Sequence, residues 1–243
     1  MRVTPDQMRL DRDAPVAVVR PGTVGYLDAW DAQKATVTAR QEGAGRDHLV
    51  LLEHPPVYTL GKRTDQTHLL FDADQRTEHG IELVQVDRGG DITYHGPGQL
   101  VGYPILRLAS VRSVVEYVRA LEEVVIRTLA GFGITGRRVQ DFTGVWVGDA
   151  KIAAIGVRVA SKGVTSHGFA LNVNPQMDHF NGIVPCGIDD RDVTSMALLG
   201  ATAPLSTVAD EVERVVAEVF GATLEPAADH DIFVASTRSK VSP

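Results

Sequence analysis

The chain has 243 residues, of which 44% are hydrophobic and 23% charged, so it can bury a sizeable core as one large domain or two small ones. A formal net charge of -7 argues against a general affinity for nucleic acid or for anionic membranes. The single cysteine excludes an internal disulfide and a cysteine-rich zinc site. No apolar run is long enough for a transmembrane helix, and the polar start of the chain does not resemble a signal peptide. We therefore expect a cytoplasmic protein.

The first third of the chain contains short apolar segments separated by strong breakers. A strand is predicted over residues 16–20, a helix over 26–41 ending at Gly43, and a strand over 49–52 that stops before Pro55. One stripe of the helix is expected to contain Leu27, Trp30, Lys34 and Val37. Residues 57–79 show no clear period and are predicted to be a long irregular stretch, which in a compact domain is usually functional or disordered.

The remaining elements predict a mixed sheet. Strands are expected over 81–86 and 99–106, the second at an edge or with a bulge because it contains Gly102 and Pro104. Ser113 and Glu116 form a capping box before a helix that ends at Gly131. Residues 143–147 and 151–159 form a predicted hairpin, followed by a strand over 169–173 and a helix over 207–220.

Hairpins beside strand–helix–strand connections indicate a single α/β (α+β) domain with a mixed central β-sheet flanked by helices. We expect this domain to span residues 15–225. A polar segment, 1–14, precedes it, and a flexible tail, 226–243, follows it.

A glycine-rich segment between two predicted strands is the first candidate for ligand binding. It begins with Arg88, Gly89, Gly90, Asp91, Ile92, Thr93, Tyr94 and His95. Glycine lets backbone amides approach a ligand closely, although a purely structural multi-turn loop has the same composition. The segment lacks the Gly-Lys-Ser/Thr ending of a phosphate-binding P-loop.

Cys186 is the only thiol, and it lies in a turn between Pro185 and Gly187. A lone cysteine is more often a buried structural residue, but these flanks favour an accessible position. A reactive thiol needs a nearby cation or base, and the candidates are His95, His167, His179 and Lys151. Lys151 precedes small apolar residues that would desolvate its ammonium group and so favour proton exchange with a thiol. The pattern of residues leaves the choice among them open.

Five segments in order resemble the octanoyltransferases of lipoate biosynthesis, which belong to the biotin/lipoate protein ligase-like superfamily. The matching segments are HPPVYTLG at 54–61, residues 88–104, KIAAIGVR at 151–158, HGFALN at 167–172, and residues 180–187 around Val184-Pro185-Cys186-Gly187. Together they cover roughly residues 15–200. The resemblance implies the mixed sheet of the biotin and lipoate ligases.

The resemblance also implies a reaction and its residues. Octanoate would pass from octanoyl-acyl carrier protein to Cys186 as a thioester, and then to a specific lysine of a lipoyl domain, with Lys151 activating the thiol and shuttling the proton. The acyl-binding positions implied are residues 88–95, Ala154, Ile155 and Gly156, and His167, Gly168, Phe169 and Ala170. Family members often have Ser at the position of Ala154, so no hydroxyl contact is expected there.

The same resemblance implies protein partners and no cofactor. The partners are acyl carrier protein and the lipoyl domains of 2-oxoacid dehydrogenase complexes and of the glycine-cleavage carrier protein, with no nucleic acid and no membrane. Neither ATP nor a metal ion is expected, because the acyl group arrives as a thioester. Since both partners are commonly acidic, we expect a local basic surface. Its candidate residues are Lys62, Arg63, Arg137, Arg138, Arg158 and Lys162.

Three other functions are compatible with parts of this pattern. An ATP-dependent lipoate or biotin ligase of the same fold would not need Cys186. A cysteine hydrolase using Cys186 with His95 or His167 would transfer the acyl group to water. A non-catalytic acyl-carrier-binding module would tolerate replacement of Cys186.

Overall fold

The computed structural model describes residues 8–109, 114–184 and 192–233, so Ser113 and Cys186 lie outside the described residues. The described strands are β1 (Val16–Thr23), β2 (His48–Glu53), β3 (Val57–Leu60), β4 (Glu82–Gln85), β5 (Ile92–His95), β6 (Gln99–Ile105), β7 (Arg137–Val139), β8 (Phe142–Val147), β9 (Ala150–Val159), β10 (Thr165–Asn172) and β11 (Leu224–Pro226). The described α-helices are α1 (Tyr26–Glu42), α2 (Ala73–Glu78), α3 (Val114–Gly131) and α4 (Leu205–Phe220).

The strands form a large and a small mixed sheet. The large sheet has the order β11-β1-β2-β6-β10-β9-β8-β7, and the small sheet has the order β4-β3-β5. Alternate residues of β2 pack on opposite faces of the large sheet, as the two-residue period of a strand requires. Leu49 and Leu51 belong to the core beneath α3 and α4, whereas Val50 and Leu52 belong to the core beneath α1. The predicted mixed α/β fold is therefore confirmed.

The predicted limits of the longer helices agree closely with the structure. The buried face of α1, however, differs from the predicted apolar stripe. Helices α1 and α4 end at Gly43 and Gly221, both with left-handed backbone conformations. Leu27, predicted on the apolar stripe, is 40% exposed, while Gln33 and Arg40 are buried. The difference arises because Gln33 accepts the backbone N–H of His167 and Arg40 pairs with the buried Asp47.

Residues 57–79 are ordered structure, contrary to the predicted irregular stretch. Strand β3 is the central strand of the small sheet, parallel to β4 and antiparallel to β5. Helix α2 begins with a capping box between Asp72 and Gln75. Because β3 is only four residues long and all four are buried, it has no alternating pattern that the sequence could reveal.

Strand β6 is central, contrary to the predicted edge position. It lies between β2 and β10, and Pro104 pairs with Leu49 of β2. On the side facing β10, the continuous ladder ends at the pair Gly102–Phe169, and Pro104 lies two residues past this pair. The proline is tolerated because the ladder is interrupted there: His167 has a left-handed φ of 57° and donates its backbone N–H to the Gln33 side chain. The pairing resumes where the N–H of Thr165 donates to the carbonyl of Leu106.

The described parts of both flanking segments pack on the main body. Arg9 is buried against Asp47 at 2.9 Å, and Ile232 is buried near β1 and β2. The predicted limits at residues 14 and 225 stay predictions. Within the described ranges, no helix is both long and apolar enough to cross a membrane.

Candidate active site

A pocket of about 480 Å³, including its open mouth, lies between the two sheets. The loop 88–91 and strand β5 form one wall, and strands β9 and β10 form the other. The antiparallel register pairs Gly156 with Gly168 and Ala154 with Ala170, which brings two distant glycine- and alanine-containing motifs face to face. Because Ala154, Gly156 and Ala170 have small or no side chains, they leave an open space above the sheet. Gly168 instead lets β6 approach closely, since a Cβ atom there would lie 2.1 Å from the carbonyl oxygen of Gly102.

Arg88 shapes the glycine-rich loop through hydrogen bonds to backbone oxygens. Its guanidinium donates to the carbonyl oxygens of Thr59 at 2.6 Å, Asp91 at 2.7 Å and Gly89 at 3.1 Å. Gly61 lies directly beneath this loop, where a Cβ atom would sit 2.3 Å from the carbonyl oxygen of Gly90. Arg88 therefore supports the pocket wall from behind, and Gly61 is the residue that lets β3 approach the loop.

Four aromatic and imidazole side chains, Tyr26, His54, His95 and Tyr103, cluster at the side of the pocket nearest α1. The rings of Tyr26 and His95 stack at 5.8 Å between centroids, and His54 Nε2 lies 2.6 Å from the Tyr103 hydroxyl. Burial lowers the pKa of His54 to about 4 and that of His95 well below its usual value, and it raises the pKa of Tyr26 to about 12. This side of the pocket is consequently polar but uncharged at neutral pH.

His167 lines the pocket and is held by residues that lie outside it. Its Nε2 is 2.8 Å from Asp87 Oδ1, and Asp87 also pairs with Arg158 at 3.1 Å. The hydrogen bond with His167 is the main cause that lowers the pKa of Asp87 to about 2. Burial lowers the pKa of His167, and Asp87 opposes that shift. His167 therefore donates a proton from Nε2 to an ionised carboxylate.

Lys151 lies where the inner pocket meets an outer groove. It lines a small cavity of about 290 Å³ that shares Thr93 and Ala154 with the main pocket. It also lines an open groove of about 1210 Å³, whose other wall includes Arg63 and Phe142. The side chain is buried, with its Nζ 4.9 Å from the centroid of the Trp146 ring. A group at this position can reach both a ligand in the pocket and a ligand arriving from solvent.

The structure brings together nearly all of the predicted site residues in the described ranges. The predicted positions in 88–93, His95, 154–156 and 167–170 all line the main pocket. Tyr94 does not, because it faces the opposite side of β5, where its hydroxyl lies 2.8 Å from His179 Nδ1. His179, one of the candidate partners of the thiol, does not line the main pocket either. Cys186 cannot be placed, since it lies outside the described residues, between Val184 and Asp192.

Sequence reasoning missed three residues that complete the site: Tyr26, Tyr103 and Asp87. Tyr26 opens α1, far from any of the motifs, and nothing in its surroundings marks it as functional. The other two are weakly indicated in the sequence, because Tyr103 lies inside the matching segment 88–104 and Asp87 directly precedes it. Among residues 8–109, 114–184 and 192–233, no group of three His, Cys, Asp or Glu side chains could hold a metal ion.

The fold is that of the lipoate protein ligases. The structure of a putative lipoate protein ligase from Thermoplasma acidophilum with bound lipoic acid superposes with a TM-score of 0.74 at 16% identity, covering 88% of this chain and 90% of that one. Lipoate-protein ligase A bound with ATP superposes with a TM-score of 0.68 at 16% identity, covering 88% of this chain and 89% of that one. At this level of identity the likeness establishes the architecture alone.

Sequence comparison gives the family. The lipoyl protein ligase A/B catalytic domain matches residues 25–220, and the chain belongs to that family. Proteins named octanoyltransferase are among its relatives, confirming the resemblance seen in the motifs. That of Chloroflexus aurantiacus is 50% identical over 209 residues, 84% of this chain and 93% of the relative. That of Rubrobacter xylanophilus is 49% identical over 214 residues, 87% of this chain and 96% of the relative. The protein is thus an enzyme, an acyltransferase.

Proposed function

We propose that the enzyme transfers an octanoyl group from octanoyl-acyl carrier protein, through a thioester on Cys186, to the ε-amino group of a specific lysine on lipoyl domains. The observation that carries this proposal is the position of Lys151 at the junction of a narrow inner pocket and an open outer groove. A transferase of this kind needs both: one space that holds the acyl chain, and one that admits two different protein substrates in turn. The relatives named octanoyltransferase support the choice of acyl group.

The pocket suits an unbranched apolar chain. Ala154, Gly156 and Ala170 leave a channel between the sheets, and Val101 and Phe169 add apolar surface. Each buried methylene contributes about 0.8 kcal/mol, so six of them contribute about 5 kcal/mol of binding free energy. Chain length is then selected by how many methylenes fit between Lys151 and the ring cluster around Tyr26.

The proposed chemistry has two acyl-transfer steps, and both balance without ATP. Cys186 passes its thiol proton to Lys151, and the thiolate attacks the thioester carbonyl of the donor. The carrier thiolate leaves and is protonated, so one thioester replaces another. The amine of the acceptor lysine then attacks the Cys186 thioester, a proton leaves the nitrogen, and the Cys186 thiolate departs. Formation of the more stable amide drives the second step.

Chain connectivity supports a role for Cys186 at this place. Val184, two residues before it, donates its N–H to the carbonyl of His68, and His68 Nδ1 lies 2.5 Å from Asp91 of the pocket loop. Asp192, six residues after it, accepts the N–H of Lys151 at 2.8 Å. Both ends of the cysteine segment are therefore attached to the walls of the site.

The proposed partners are acyl carrier protein and the lipoyl domains of 2-oxoacid dehydrogenase complexes and of the glycine-cleavage carrier protein, which places the reaction in the cytoplasm. Of the predicted basic residues, Arg63 lines the groove that leads to Lys151. Arg158 is paired with Asp87, Arg138 with Glu122 and Glu123, and Lys162 donates to the carbonyl of Gln41. Arg137 pairs with Asp149 at 3.2 Å. Arg63 is accordingly the predicted basic residue best placed to meet an acidic partner.

The proposal is tested by incubating the enzyme with octanoyl-acyl carrier protein and an isolated lipoyl domain, with ATP omitted. We expect the mass of the domain to rise by one octanoyl group, and a domain whose target lysine is replaced by arginine to stay unmodified. Modification that requires free octanoate and ATP would identify a ligase instead. Release of free octanoate without any modified domain would identify a hydrolase.

A further inference from the structure

A row of buried amide side chains connects the pocket to the backbone at Lys151. His95 Nδ1 lies 2.7 Å from Gln99 Oε1, and Gln99 Nε2 donates to Asn172 Oδ1 at 2.9 Å. Asn172 Nδ2 in turn donates to the carbonyl of Thr194 at 2.9 Å. Gln99 and Asn172 are directly opposite each other in the β6–β10 ladder, and all four residues are buried.

The direction of every hydrogen bond in this row follows from its last member. A carbonyl oxygen can only accept, so the amino group of Asn172 must face Thr194 and its Oδ1 must face Gln99. Gln99 therefore donates from Nε2, which also contacts the carbonyl of Tyr94 at 3.2 Å, and it offers Oε1 to His95. His95 must then carry its proton on Nδ1. One backbone carbonyl thus fixes two amide orientations and one histidine tautomer.

The segment 192–194 contains Thr194, the last member of this row, and it is hydrogen-bonded to both the N–H and the carbonyl of Lys151. Lys151 N–H donates to the carbonyl of Asp192 at 2.8 Å, and Thr194 N–H donates to the carbonyl of Lys151 at 2.9 Å. Val193 lies beside Lys151 as a parallel bridge and lines the same small cavity. Asn172 also accepts the N–H of Met196 through its own carbonyl, so its side chain contacts the segment and its backbone contacts the residues that follow it.

We propose that Gln99 and Asn172 are positioning residues that hold the segment 192–194 against β9 and thereby fix Lys151 at the junction of pocket and groove. The proposal rests on the catalytic role proposed above for Lys151. The amide pair lines the small cavity beside Lys151, and in this proposal it acts through the Thr194 carbonyl. A buried carbonyl that loses its donor would move to find another, and the segment bonded to Lys151 would move with it.

Asn172→Asp tests the proposal most sharply, because it changes one contact. The carboxylate still accepts from Gln99 Nε2, but it opposes the Thr194 carbonyl with a second acceptor. We expect kcat to fall about 10- to 100-fold near pH 8, with KM for the acyl carrier protein within twofold of wild type. As the pH falls, a protonated carboxyl group can donate to Thr194, so the ratio of variant to wild-type kcat should rise. Taking this ratio at each pH removes the titration of groups that behave alike in both proteins.

Two further variants distinguish a positioning role from a general loss of structure. Asn172→Ala removes the donor without adding a charge, so it should show the same loss of kcat but no recovery at low pH. Thr165→Val is the matched control: Thr165 is equally buried on β10, but its hydroxyl donates to the carbonyl of Pro104 and accepts the N–H of Leu106, both outside the row. We expect this control to keep kcat within about threefold of wild type and to keep its pH profile.

The result that would overturn the proposal is a wild-type kcat in both Asn172 variants, or a loss that is the same at every pH in Asn172→Asp. Lys151→Met is measured beside them. If Lys151→Met is itself fully active, the catalytic role proposed for Lys151 fails, and the positioning role lapses with it. If Lys151→Met is inactive while both Asn172 variants match wild type, the positioning role alone fails.

Discussion

Replacing Lys151 by methionine is expected to lower the rate of acyl transfer by about 10²- to 10⁴-fold, the usual contribution of a positioned acid–base group. Methionine keeps an unbranched side chain beside the Trp146 ring, so the packing at this buried site should survive. What disappears is the group that takes the thiol proton of Cys186 and returns a proton to the leaving thiolate. The loss should appear in single-turnover acylation of the enzyme as well as in steady-state transfer.

The control for this change is Lys34→Met. Lys34 lies on α1, exposed, 4.3 Å from the centroid of the Trp30 ring and paired with Asp31. An exposed ion pair of this kind contributes little to stability, and we expect wild-type kinetics from this variant. A Lys151→Met enzyme that keeps more than a tenth of wild-type activity would remove Lys151 from the proposed mechanism.

Replacing Ala154 by leucine is expected to lower kcat/KM for octanoyl-acyl carrier protein by about 10- to 100-fold. Ala154 lines both the main pocket and the small cavity at Lys151, so every acyl chain that enters the pocket must pass it. Three added carbon atoms at this point narrow the channel through which the distal methylenes of the chain reach the rest of the pocket. The enzyme should remain folded, because the new side chain points into a space that is open in the wild type.

A shorter donor serves as the internal control for the Ala154 change. With butyryl-acyl carrier protein, most of the chain no longer passes the added side chain, so kcat/KM should fall by a factor several times smaller than with the octanoyl donor. Ala130→Leu, the same change on the exposed side of α3, should leave both donors unaffected. An equal loss with both donors would mean that leucine at position 154 disturbs the whole site. Residue 154 would then not limit the space available to the acyl chain.

Much of the site could be predicted from the sequence because its residues are contiguous. The glycine-rich run from Arg88, the strand that begins at Lys151 and the segment from His167 are each recognisable alone, and the structure places the described members of all three around one pocket. The hairpin of β8 and β9 was also predictable, because Gly148-Asp149 marks the turn between two apolar runs.

The parts that could not be predicted depend on contacts between distant residues. Pro104 suggests an edge strand until the interruption of the β6–β10 ladder at His167 is known. Tyr94 looks like its neighbours in the loop, and only the alternation of β5 turns it away from the pocket. Tyr26 enters the site because α1 begins beside the small sheet, where it packs against Val57 and Val84. Each of these contacts joins residues that are far apart in the sequence or depends on the strand that they belong to.

The most direct test of the central claim is intact-protein mass spectrometry after mixing the enzyme with octanoyl-acyl carrier protein, with wild type beside Cys186→Ala. The proposed mechanism predicts one octanoyl adduct on the wild type only. Hydroxylamine should remove it at neutral pH, and an added lipoyl domain should discharge it with matching gain of one octanoyl group. An adduct that persists on Cys186→Ala, or modification of the domain by a Cys186→Ala enzyme at the wild-type rate, would contradict the thioester intermediate.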